Sequence, residues 1–217
     1  MPSLVGSEMC IRDRVNCCLD QDYYNFEIVI IEQSQLTHWQ NYKERLSSID
    51  QRIRLIRTRP KGSASARNLG VFVAKGDIVL LMDDDDLPIN NDWISSHARH
   101  YKDPLCIGVS GRCIKTINEE EPYRNKTLAY ERCLSYSFFL RGRDFTGINQ
   151  TKQPVQWLHG LNSSIRKSYV IKMGGWYPYI NNFDEHSFCF KLQKNMKPNE
   201  YLMFDPKPVV LRRFDIP

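Results

Sequence analysis

The apolar run Ile78-Val79-Leu80-Leu81-Met82 ends directly in four consecutive aspartates, Asp83 to Asp86, and no other junction constrains the fold of this chain as much. Like charges crowded at the end of a buried strand repel one another and lose solvation, so a stable fold must supply a cation or leave the loop in water. Hard oxygen ligands on a short loop suit Mg²⁺ or Mn²⁺. Such ions take one or two protein carboxylates and leave their other positions to water and a phosphate-bearing substrate, which implies a nucleotide or diphosphate partner. The alternative is a solvated acidic turn capping the next element, since aspartate is a good N-cap and Leu87-Pro88 can begin one. From the loop alone the two readings stand level.

Around this junction, short apolar runs alternate with helix-length segments. Residues 27–31 and 53–57 read as strands, 39–49 as a helix, and Ser63 as the cap of a helix running to about residue 74, where Lys75-Gly76 stops it. Residues 77–82 form the third strand. Strands joined through helices imply right-handed crossovers and a mostly parallel, Rossmann-like sheet flanked by helices, with ligands outside the carboxyl ends of the strands. The aspartates lie at such an end. Further on, 90–101 reads as a helix with Trp93 and Ile94 inward, 106–110 as a strand, 155–158 and 163–165 as short strands, 167–173 as a helix ending at Gly174-Gly175, and 184–194 as a helix opened by acids. The polar, irregular stretch 117–153 has the pattern of an active-site flap or acceptor loop.

Composition narrows the class. At 217 residues the chain fits one domain, and its formal charge of +5 is not gathered into a basic block, so nucleic acid is not expected as a partner. No stretch approaches about 18 uncharged apolar residues, so nothing spans a membrane, while peripheral attachment stays open. The seven cysteines are odd in number and form no C-x-x-C pair, which points to reduced thiols and a cytoplasmic location, with the inner face of the membrane open to it. Residues 1–14 follow neither a signal-peptide pattern nor a strand or helix period, and they resemble a translated sequencing-adapter tail. They are expected as a non-native or disordered tail, with residues 15–217 as the domain.

Three segments taken together resemble family 2 glycosyltransferases of the GT-A fold. Gly62-Ser-Ala-Ser-Ala-Arg-Asn-Leu-Gly70, followed by Ala74-Lys-Gly-Asp77, the apolar strand and the aspartates, matches that family's core signature. Gly160-Leu-Asn162-Ser-Ser-Ile-Arg166 resembles its glycine-asparagine stretch, and Gly174-Gly175-Trp176 followed by Asp184-Glu185 resembles its glycine pair and acidic catalytic motif. The resemblance covers roughly residues 17 to 212 in the correct order.

What the resemblance implies is an inverting, Mn²⁺- or Mg²⁺-dependent transfer of a sugar from a nucleotide-diphosphate donor to a glycan or lipid-linked acceptor, in polysaccharide or lipopolysaccharide biosynthesis. Asp83 and Asp85 match the D-x-D element, with Asp85 the direct metal ligand and Asp83 nearer the ribose and metal waters, and with Asp84 and Asp86 supporting the loop. Glu32, where the family carries an aspartate, would meet the nucleobase beside Gln33. Arg67 and Asn68 lead into the metal strand, where Arg67 either anchors the nucleotide or makes a structural salt bridge to the aspartate loop. The family order is glutamate then aspartate, with the second acid as base. Here the order is reversed, so position assigns the base to Glu185, one methylene longer, with Asp184 as its neighbour. His159, Gly160, Asn162, Trp176 and His186 are candidates for acceptor contact, and Trp157 and Tyr177 for stacking or core packing. His97 and His100 read as a solvated helix face.

Two departures accompany the resemblance. The family's opening strand is missing, and Arg212-Arg213 stand where many members carry a metal-binding histidine. The first suggests a fragment lacking the first strand, and the two together a fragment truncated at both ends or nearly so. Competing expectations are an inactive or binding-only remnant of the same fold, and a nucleotidyltransferase, for which Lys61-Gly62 is a thin phosphate loop.

Overall fold

The structure, a computed structural model, describes residues 4–33, 39–84, 86–114, 152–158, 160–179 and 184–212. In chain order its elements are α1 (Leu4–Leu19), β1 (Ile28–Glu32), α2 (Trp39–Ser47), β2 (Ile53–Arg57), α3 (Ser63–Val73), β3 (Ile78–Met82), β4 (Asp86–Pro88), α4 (Trp93–Ala98) with a 3₁₀ turn (Arg99–Lys102), β5 (Cys106–Ile114), β6 (Gln153–Val155), β7 (Asn162–Arg166), α5 (Lys167–Met173), α6 (Asp184–Asn195) and β8 (Tyr201–Arg212).

The strands form two sheets. β1 and β2 pair in parallel, and a six-stranded sheet runs β3-β7-β5-β8-β4, with β6 on β8. β7 is antiparallel to both β3 and β5, while β5 and β8 are parallel, so β3, β5 and β8 point the same way and β7 is inserted against them. The short strands β4 and β6 also run antiparallel to β8, which makes the sheet mixed. Crossovers through helices gave the parallel expectation; strand β7 departs from it, running antiparallel to both of its neighbours.

The main core lies where α3, α5 and α6 cover the sheet. Val71, Ile107, Ile165, Val170, Phe188, Leu192 and Leu202 are each 3 % exposed or less. Burying each such side chain is worth about 1.5–3 kcal/mol relative to leaving it in water. A second cluster gathers Cys18, Trp93, Cys113, Leu161 and Val210, and a third places Tyr42, Leu46 and Leu55 under α2.

Residues 4 to 19 form a single helix, so the boundary expected at residue 14 falls inside α1. Ile11, Val15 and Cys18 recur at helical spacing and face the second and third clusters or are themselves buried, a period that shows only when the segment is read through to residue 19. The expected cap Ser63 is instead the first helical residue. Gly62 holds the cap position at φ 84°, a left-handed conformation that glycine adopts without steric cost. The expected solvated histidine face is also overturned. His97 is 1 % exposed, its Nδ1 pairs with Ser164 Oγ at 2.9 Å and its Nε2 with Asn162 Oδ1 at 3.0 Å, and burial drives its pKa down to about 4. The flap expected over 117–153 lies, but for its last two residues, outside the described residues.

Candidate active site

The carboxyl end of β3, the first half of α3, the turn before β7 and the start of α6 converge on one guanidinium. Arg67 Nη1 donates to Asp184 Oδ2 at 2.9 Å and lies 3.3 Å from Glu185 Oε1, while its Nη2 reaches Asp83 Oδ1 at 3.3 Å. The Arg67 side chain is only 13 % exposed. Asp83 and Glu185 are 102 positions apart (185 − 83) and meet through this single side chain. Of the two expectations for Arg67, the salt bridge to the aspartate loop is present, at Asp83, and the guanidinium reaches beyond it to the acid pair Asp184 and Glu185.

Glu185 is gripped at a second point. The Gly160 backbone N–H donates to Glu185 Oε1 at 2.9 Å. A β-carbon on residue 160 would sit 2.1 Å from that oxygen and 2.4 Å from Arg67 Nη2, so only glycine lets the backbone come this close. Burial is the main influence on the Glu185 carboxyl and raises its pKa to about 7; Asp184 and Asp83 push the same way, and Arg67 and the Gly160 N–H pull against them. The first turn of α6 favours a negative charge by a few tenths to about 1 kcal/mol, too little to cancel that desolvation.

Asn68, next to Arg67, clamps the segment ahead of α6. Its Nδ2 donates to the Trp176 carbonyl and its Oδ1 accepts the Trp176 N–H, both at 2.8 Å. Gly175, at φ 75°, leaves room for this, since a β-carbon there would lie 2.2 Å from Asn68 Oδ1. Trp176 itself is 4 % exposed and stacks on Phe188 with ring centroids 4.5 Å apart. Its side chain is core, and so is Trp157 at 5 % exposure, with the His186 ring edge-on against it. The candidate acceptor residue Asn162 is fully buried. Its amide accepts from Trp93 Nε1 at 2.8 Å and donates to the carbonyls of Arg112 and Pro208, so it joins β5, β7, β8 and α4 rather than facing a cleft.

Glu32 ends β1, at its carboxyl side, paired with Arg57 across the two-stranded sheet. Gln33 beside it ties down the loop before α3: its Nε2 donates to the Gly62 carbonyl at 3.2 Å and its Oε1 accepts the Lys61 N–H at 2.7 Å. Asp84 is exposed in the turn after β3, and Asp86 is fully buried in β4. Asp85 and His159 lie outside the described residues.

Whether a divalent ion suits this place turns on donor chemistry. Asp83 brings a hard carboxylate oxygen to the end of β3, with its side chain 28 % exposed. Among the described residues no three His, Cys, Asp or Glu side chains gather as a metal cage. An ion held by one or two carboxylates and a diphosphate does not need one, so the residues present fit such an ion. No helix among the described residues is long and apolar enough to cross a membrane.

Comparison with known proteins gives the family and the fold. The profile described as Glycosyl transferase family 2 matches residues 5–174. An uncharacterized glycosyltransferase of Haemophilus influenzae is 29 % identical over 141 residues, which are 64 % of this chain and 55 % of that protein. Among solved structures, the mannosyltransferase PcManGT from Pyrobaculum calidifontis in complex with GDP-Man and Mn²⁺ superposes with a TM-score of 0.68 at 19 % identity, covering 94 % of this chain and 53 % of that one. GalNAc-T7 with UDP, GalNAc and Mn²⁺ gives a TM-score of 0.69 at 17 % identity, covering 94 % of this chain and 41 % of that one. The chain thus spans about half the length of the proteins it matches. The fold is GT-A, and with a profile match over most of its length the chain belongs to glycosyl transferase family 2.

Proposed function

We propose that this domain carries out an inverting, divalent-metal-dependent sugar transfer from a nucleotide-diphosphate donor to a hydroxyl of a glycan or lipid-linked acceptor. The observation that carries the reading is the single guanidinium of Arg67 shared by Asp83, at the strand end where a donor diphosphate would bind, and by Glu185, a carboxylate whose pKa lies close to neutrality. Relatives of the same fold bind GDP-Man or UDP together with Mn²⁺, which supports the donor class.

Inversion in one displacement needs a group that takes the acceptor proton on the face opposite the departing diphosphate, and a base works best with a pKa near the operating pH. Glu185 meets that requirement. The Gly160 N–H and Arg67 both hold Oε1, which fixes the plane of the carboxylate and so its aim. Asp184 occupies the remaining reach of Arg67 and keeps the guanidinium in place between the two halves of the site. Asp83 and Asp85 are the residues that would hold a divalent ion, which when bound neutralises charge on the leaving diphosphate. Glu32 and Gln33, at the end of β1, are proposed for the nucleobase side.

Glu185→Gln keeps shape and hydrogen bonding but removes basicity. Nucleotide release from a panel of nucleotide sugars with Mn²⁺ and an acceptor mixture should fall by roughly 10²–10⁴-fold while nucleotide binding by calorimetry persists. Full activity of that variant beside a dead Asp184→Asn would move the base to Asp184.

A further inference from the structure

Two tyrosines between the clamped Trp176 and the acid pair in sequence take no part in the chemistry above. Tyr177 and Tyr179 are 51 % and 86 % exposed, and their rings meet edge to face with centroids 6.0 Å apart and planes at 73°. Single exposed aromatics are ordinary, but two in contact make an apolar corner.

The backbone sets where that corner lies. Trp176 is held at both its N–H and its carbonyl by Asn68, whose neighbour Arg67 reaches Asp184 at 2.9 Å. Tyr177 therefore starts one residue beyond a point clamped beside the acids. Tyr179 precedes Asp184 by five residues, which span at most about 18 Å.

We propose that Tyr177 and Tyr179 form a subsite that stacks on a pyranose ring of the acceptor, so that the acceptor is a saccharide. This rests on the reading of Glu185 as the base that faces the acceptor hydroxyl. A pyranose presents a face of C–H groups that is apolar and weakly positive, which matches the electron-rich face of a tyrosine ring, while its hydroxyls stay at the rim for water and the phenols. Tyrosine holds such a contact at low entropic cost, having two side-chain torsions to fix. The larger rings nearby, Trp157 and Trp176, are buried and cannot offer a face.

The test is a titration of protein labelled with ¹³C in its tyrosine rings, with the two signals assigned from Tyr177→Phe and Tyr179→Phe. Methyl β-D-glucopyranoside, galactopyranoside and mannopyranoside, and a β-linked disaccharide of glucose, are compared with the acyclic polyol sorbitol. Saturable shifts of both rings with at least one pyranoside and none with sorbitol are expected, with affinity weakened about 3- to 10-fold in Tyr179→Ala. Equal response to sorbitol, no response to any sugar, or shifts that follow protein concentration alone overturn the subsite, the last in favour of self-association. GDP and UDP with Mn²⁺ are titrated separately: failure there strikes the donor reading, whereas silent tyrosines with nucleotide still bound strike the subsite.

Discussion

Asp205 and Glu185 are both carboxylates withdrawn from water and set among cations, yet their surroundings drive them in opposite directions. Asp205, fully buried in β8, accepts from Arg99 Nη2 at 2.5 Å, His100 Nε2 at 2.6 Å and the Lys207 N–H at 3.0 Å, with Lys152 Nζ at 3.4 Å. Burial alone would raise its pKa, but the hydrogen bonds from His100, Arg99 and Lys207 outweigh it and hold the group well below the usual carboxylate range. Glu185 shares one guanidinium with two other acids, so burial prevails and the pKa rises to about 7. The lesson is one of ratio: several donors for one carboxylate lock a charge into the fold, and one guanidinium spread over three carboxylates leaves a proton within reach.

That contrast can be broken from either side. Asp205→Asn removes the charge that the surrounding donors were arranged for, and urea unfolding at pH 7 should show a loss of about 3 kcal/mol, the low end for a broken buried pair because Arg99 is 33 % exposed. A smaller effect follows from Gly160→Ala. The added methyl must displace Glu185 or Arg67, so turnover should fall about 10²-fold with little change in melting temperature, as measured by nucleotide release and calorimetry.

The smallest effect is a pair of opposed pH slopes. Asp205 has a depressed folded-state pKa, so its stabilising contribution is present above the unfolded value near about 4 and is lost as pH falls below it. Glu185 has a raised one, so the native state holds the extra proton between about 4.5 and 7 and stability falls as pH rises through that window, then levels off. Glu185→Gln should therefore gain stability relative to the parent when scanned at pH 8, and gain less at pH 5. Parallel slopes for the two variants would remove the distinction.

Much of the scaffold was legible because it is local. β2 and α5 match their expected bounds, and α3 and α6 match to within a residue at each end, because apolar period, acids at a helix start and a glycine pair at a helix end act over a few positions. β4 and β8 were not, since Asp86-Leu87-Pro88 looks like a turn and Pro206 and Pro208 interrupt a strand that pairs with β5 only through register shifts. At the site, the acids were legible as residue types. That Arg67 joins them, that Gly160 holds Glu185 and that Asn162 is an interior joint depend on contacts across many tens of residues, which no local pattern encodes. Tyr179 carried no motif at all.

The central claim is that Glu185 is the carboxylate held ready to take a proton near neutrality. It is tested most directly by ¹³C NMR of protein labelled at the glutamate side-chain carboxyls, with the Glu185 signal identified by its disappearance in Glu185→Gln. A titration midpoint near about 7 is the predicted result. A midpoint at or below the ordinary glutamate value of about 4.3 would show Glu185 to be a permanently charged partner of Arg67, and would contradict the account.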